Sequence, residues 1–148
     1  MQKFERADFE VQEYVESENY GKFVLSPLER GFGTTIGNAL RRVLLSSLPG
    51  AAVFSIKVDG VYHEFTSIPG VREDVSMIIL QLKQLVMKIE DDEVYTLQIS
   101  AKGPCTITAG DIICPAQVEV INKDLEIAHL EKDVTLEMEL KAKNGRGY

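Results

Sequence analysis

The sequence predicts an α+β protein in two parts: an N-terminal β-hairpin plus helix, then a mainly antiparallel β region carrying one amphipathic helix. Three observations predict it. Apolar residues recur at helical spacing in two stretches, 36–48 and 71–86. Several short runs alternate apolar with polar, most clearly 134–140. Between them stand turn signals: Pro49-Gly50, Asp59-Gly60 and Gly103-Pro104.

Taken in order, residues 4–16 hold Phe9, Val11, Tyr14 and Val15 among acids, a strand of imperfect alternation. Glu18-Asn19-Tyr20-Gly21 turns the chain, and Tyr20 to Leu25 returns it, so 9–26 is predicted to be a hairpin. Gly31 and Gly33 then suit a tight entry loop, Thr34 or Thr35 a helix cap, and Pro49-Gly50 a hard stop. On a helical wheel Ile36, Leu40, Val43, Leu44 and Leu48 fall on one broad arc, and Asn38, Arg41, Arg42 and Ser46 opposite, with Leu45 among them. A leucine beside two arginines has the composition of an interface anchor; a solvated basic face with one stray leucine fits the same pattern.

The alternation of Phe54, Ile56 and Val58, then Asp59-Gly60, then residues 61–65 reads as a second hairpin, with His63 a structural histidine in its return strand. A second helix opens at Pro69-Gly70 and carries Val71, Val75, Ile78, Ile79, Leu82 and Val86 on one face. Glu73 and Asp74 stand in its first turn and Lys83 and Lys88 near its end, as the helix dipole favours. Runs at 95–99, 106–112, 118–122, 125–130 and 134–140 complete the β region. The mild composition shift at Pro49-Gly50 puts the boundary between residues 1–50 and 51–148.

A chain of 148 residues fits one domain or two small subdomains. The net charge of −7 argues against nucleic-acid binding through the whole fold and leaves only a local basic face on the first helix. No N-terminal run resembles a signal peptide and none approaches a membrane span, so a cytoplasmic setting with Cys105 and Cys114 reduced is expected. Catalytic signals are weak. The acid pairs Asp91-Asp92 and Glu73-Asp74 read as loop or helix-start charges. Gly31-Phe32-Gly33 lacks the lysine of a phosphate-cradling loop. His129 has no cysteine or second histidine at ligand spacing, and neither cysteine has a base at readable spacing. No catalytic residue, cofactor or metal is expected.

Residues 28–50, reading Leu-Glu-Arg-Gly-Phe-Gly-Thr-Thr-Ile-Gly-Asn-Ala-Leu-Arg-Arg-Val-Leu-Leu-Ser-Ser-Leu-Pro-Gly, closely resemble a segment of the alpha subunit of bacterial RNA polymerase. The resemblance continues in Asp59-Gly60-Val61-Tyr62-His63-Glu64-Phe65, in Gly70-Val71-Arg72-Glu73-Asp74, in Gly103-Pro104 with Thr108-Ala109-Gly110-Asp111-Ile112, and in Asn144-Gly145-Arg146-Gly147-Tyr148. It implies a non-catalytic assembly subunit of a nucleotidyltransferase, which dimerises and scaffolds the large beta and beta-prime subunits. Residues 1–50 would be the first part of the dimerisation subdomain and 51–148 an inserted β-rich subdomain. The family's domain is longer, so the chain is expected to be an amino-terminal fragment, with 51–148 well folded and 1–50 loosely held. Arg41, Arg42, Leu45, Asn38, Lys83, Glu73 and Asp74 become candidates for contact with a large subunit, Arg42 foremost, and Ile36, Leu40, Val43, Leu44 and Leu48 for the dimer. A small nucleic-acid-binding module using the basic face of helix 36–48 is the alternative; direct DNA contact and membrane contact are otherwise not expected.

Overall fold

The computed structural model describes residues 5–147; Phe4 of the predicted first strand and Tyr148 of the terminal motif lie outside them. The fold is α+β and divides into two compact units, residues 1–48 with 146–148, and residues 49–145.

In the first unit, β1 (Asp8–Val15) pairs antiparallel with β2 (Tyr20–Ser26) through a one-turn 3₁₀ helix, Glu16–Glu18. The imperfect alternation of β1 has a structural cause. The register jumps between Val11 and Glu13, leaving Gln12 as an extra residue. Such a bulge re-phases the strand. Phe9, Val11 and Tyr14 therefore share one face, opposite Leu25, Phe23 and Gly21. Helix α1 (Phe32–Ser46) follows, with Gly31 at the N-cap position at φ 90° and no side-chain cap, so neither the Thr34 nor the Thr35 hydroxyl plays that part. Among the described residues, none in this unit is buried.

The second unit holds the core. β3 (Gly50–Val58), β4 (Met87–Ile89), β5 (Tyr95–Lys102), β7 (Val118–Val120) and β9 (Thr135–Gly145) form one sheet in the order β5-β9-β3-β4-β7. β6 (Cys105–Thr108) and β8 (Glu126–Leu130) form a second, and α2 (Val75–Leu82) covers the core. Period-two patterning decides which side chains meet. Leu136, Met138, Leu140 and Ala142 of β9 face inward, paired across the strand with Ala101, Ile99, Leu97 and Tyr95. Ile78 of α2 and Ile107 and Ile127 of the small sheet are fully buried in the same cluster.

Three predicted elements differ. Residues 61–65 do not return along β3. Asp59-Gly60 does turn the chain, with the Val61 amide bonding the Val58 carbonyl, but the segment then bonds locally and to the start of α2, Thr66 N–H to the His63 carbonyl and Ser76 Oγ to the Glu64 carbonyl. His63 is therefore an exposed loop residue, its Nδ1 3.2 Å from Thr66 Oγ1. The second helix is also shorter than its apolar period. At its start, Gly70 has φ 77° and Val71 bridges Leu130, so the chain runs extended until Asp74 caps the helix. At its end, Asn122 accepts from the Val86 amide and donates to the Gln84 carbonyl, turning residues 84–86 into β4. Lys88 thus lies on β4, not on the helix. Finally, only 106–108 of the predicted run 106–112 is strand, as part of β6; Ala109–Asp111 is a 3₁₀ turn closed by a Thr108–Asp111 capping box.

A Leu140→Ala variant should lose about 2–5 kcal/mol of the second unit's stability through its cavity, read as a lower denaturant midpoint. Gly70→Ala should also destabilise, by more than about 1 kcal/mol, because the added Cβ meets Val134 and the φ is positive.

Candidate subunit interface

α1 offers two side-chain strips. Asn38 lies three and four residues before Arg41 and Arg42, which lie four and three before Leu45, so the four are surface neighbours. All are exposed, Leu45 at 65 %, and neither arginine joins an ion pair among the described residues. The second strip is the i,i+4 row Ile36, Leu40, Leu44, with Val43 beside it. Ile36 is half-buried and the others are exposed, Leu44 at 60 %. Leu48 falls outside the helix, which ends at Ser46 with the Ser47 amide bonded to the Val43 carbonyl. The reason is local: the residue before a proline is driven out of helical conformation. Its side chain is exposed beyond the row.

The end of α1 is fixed by close contacts. Ser46 Oγ donates to the Arg42 carbonyl at 2.6 Å. Gly147 lies against the Leu45 carbonyl, where a Cβ would have no room. That contact gives the terminal glycine motif a steric meaning: a side chain there would displace the backbone that carries Leu45.

On α2, Lys83 is the C-cap residue, exposed and without an ion pair among the described residues. Glu73 and Asp74 precede the helix rather than forming its first turn. Asp74 Oδ1 accepts from the Met77 amide at 2.8 Å, an N-cap. Glu73, its side chain 17 % exposed, takes the amide and ring Nδ1–H of His129 at 2.7 and 2.5 Å. Burial raises its pKa, but the His129 hydrogen bonds outweigh that and hold the carboxyl below its ordinary value. Both carboxylates therefore position the loop before α2 from within. Sequence spacing could not reveal the Glu73–His129 pair, which joins residues 56 apart.

Other exposed apolar groups were not singled out by sequence. Phe9, Val11, Tyr14 and Phe23 on the hairpin, and Met77 and Leu80 on α2, are open. The hairpin face was hidden by its bulge. The all-round hydrophobicity of α2 was the signal for Met77 and Leu80. Cys105 and Cys114 are free, and burial raises the Cys114 thiol. Among the described residues no group of three His, Cys, Asp or Glu could hold a metal ion, and no helix is long and apolar enough to cross a membrane.

Comparison with known proteins gives the interface a context. Residues 56–148 match the sequence model described as the RNA polymerase Rpb3/RpoA insert domain. The chain belongs to this RNA polymerase family. It is 55 % identical over 148 residues to the DNA-directed RNA polymerase subunit alpha of Alkaliphilus metalliredigens, covering 100 % of this chain and 47 % of that protein. It is 59 % identical over 133 residues to the subunit alpha of Oenococcus oeni, covering 90 % and 42 %. The same-named subunit of Desulforudis audaxviator is 55 % identical over 148 residues, covering 100 % and 47 %. The chain thus spans about half the length of the curated relatives it matches. The insert-domain match starts inside β3 and runs through the whole core-bearing β region.

The depressed Glu73 carboxyl gives a pH signature. Its contribution is present above the ordinary value of 4.5 and is lost as pH falls through the lower folded value. Glu73→Gln should therefore destabilise the second unit at pH 7, with the gap to the parent narrowing below about pH 4.5 in a melting series.

Proposed function

We propose that this chain is a non-catalytic assembly part of a DNA-directed RNA polymerase, acting in the cytoplasm as a scaffold for the large subunits. The observation that carries this reading is the state of α1. An amphipathic helix buries one face in its own fold when that face is structural. Here neither face has a buried residue, and two arginines without an ion pair among the described residues flank an exposed leucine. Such a helix is arranged for partners on both sides.

The division of labour follows. Residues 1–50 supply the first part of a dimerisation subdomain, and 51–148 form an inserted subdomain. Ile36, Leu40, Val43 and Leu44, with Leu48 beyond them, meet a second copy. Arg42, Arg41, Leu45 and Asn38 meet the beta or beta-prime subunit, with Arg42 the principal anchor because guanidinium forks suit desolvated contacts. Lys83 adds a point charge from α2. Glu73 and Asp74 act through the loop they hold, not as direct contacts. Nucleotide transfer belongs to the assembled polymerase.

Co-expression with tagged beta and beta-prime subunits tests the assignment. The parent should co-purify, and Arg42→Ala should lose at least about tenfold in recovered complex, the scale of a hot-spot truncation. Recovery at the parent level would contradict the role. Leu44→Glu should shift the sedimenting species from dimer to monomer. Binding to duplex DNA that collapses as salt rises would instead favour the basic face of α1 as a nucleic-acid site.

A further inference from the structure

The predicted hairpin that β3 fails to make leaves a consequence in the sheet. β3 pairs with β9 along its whole length, Gly50↔Gly145 to Val58↔Met138. On its other side it pairs only at Ala51↔Met87. From Val53 to Val58 that edge has no strand partner among the described residues. Edge backbone groups without a partner are a template for another strand.

The open edge lines a groove. Val53, Phe54, Ser55 and Ile56 form one wall and Ile79, Leu82 and Lys83 of α2 the other, enclosing about 210 Å³. The lining is mainly apolar, and Phe54 is 52 % exposed. One lysine lines it, Lys83 on the helix wall; Lys143 of β9 lies outside the lining, its Nζ 5.0 Å from the centre of the Phe54 ring. Neither joins an ion pair among the described residues, in a chain of net charge −7.

We propose that this groove receives an extended segment of a partner polypeptide, added to the free edge of β3 as a further strand. The backbone edge selects a peptide over a small apolar molecule, since only an extended chain answers its spaced N–H and C=O groups. The apolar walls select alternate apolar side chains. The Lys83 ammonium on the helix wall selects an acidic residue. The register jump between Val53 and Ser55, and the outward Lys57, limit indiscriminate edge pairing, as bulges and edge lysines do elsewhere. This site is separate from the α1 contacts but shares Lys83 with the proposed large-subunit interface; the peptide assays on the chain alone read the groove without the large subunits.

The test is a random heptapeptide library panned against the full chain. Enriched peptides should alternate apolar and polar residues and carry an acid. Added to the ¹⁵N-labelled chain, an enriched peptide should shift amides within 53–58 and 79–83 and slow hydrogen exchange along 53–58. Alternate N-methylation of the peptide should weaken binding more than about tenfold, because it removes the ladder hydrogen bonds. Lys83→Glu, a surface change that leaves the core intact, should weaken it by at least about twofold. Enrichment of no peptide, shifts confined to other residues, or binding indifferent to N-methylation would each overturn the proposal.

Discussion

Leu140 of β9 is packed between Leu97 of β5 and Ile56 of β3, with the inward row Leu136, Met138 and Ala142 continuing along the same strand. β9 thereby links two strands separated from it by tens of residues, and the second unit's core collects around it. Fully burying such a side chain is worth about 1.5–3 kcal/mol relative to leaving it exposed. The first unit has no equivalent: none of its described residues is buried. Hydrophobic burial is the main force holding a fold together, so this asymmetry separates a unit with its own buried core from one whose described residues are all at least partly exposed.

That asymmetry is also seen along α1 itself, where both side-chain strips are exposed. Arg41, Arg42 and Leu45 on one strip and Leu40, Val43 and Leu44 on the other are all open, and the Gly147 contact and the Ser46 hydroxyl fix the backbone between them. The contrast with α2 is instructive. There Val75, Ile78 and Leu82 are buried, Asp74 caps the start, and the loop before it is held by Glu73 and His129. α2 is tied into its own core; α1 is presented.

Much of this was legible in the residues. The strands 95–99 and 134–140 were readable because an inward face imposes strict alternation, and α1 because its glycine entry and Pro49-Gly50 exit bracket a clear wheel pattern. The resemblance of residues 28–50 supplied the family that the comparisons show. What was not legible depended on contacts distant in sequence. The apolar period from Val71 to Val86 is continuous, yet Gly70, the Val71–Leu130 bridge and Asn122 trim the helix at both ends. Asp59-Gly60 carries the strongest local hairpin signal, yet β9 holds one edge of β3 and the following loop bonds to the first turn of α2. The Glu73–His129 pair has no local signature. On α1, the sequence singled out both the basic strip and the apolar arc as surfaces awaiting a partner, and both are open apart from the half-buried Ile36.

The most direct measurement of the central claim is amide hydrogen exchange on the full chain at dilute concentration, with and without added beta and beta-prime subunits. The account predicts strong protection for β5 and β9 throughout, and fast exchange along α1 that slows only as self-association or the large subunits cover it. Protection of α1 equal to that of β9 in the dilute chain alone would show that the helix draws its stability from within its own fold, and would contradict the account.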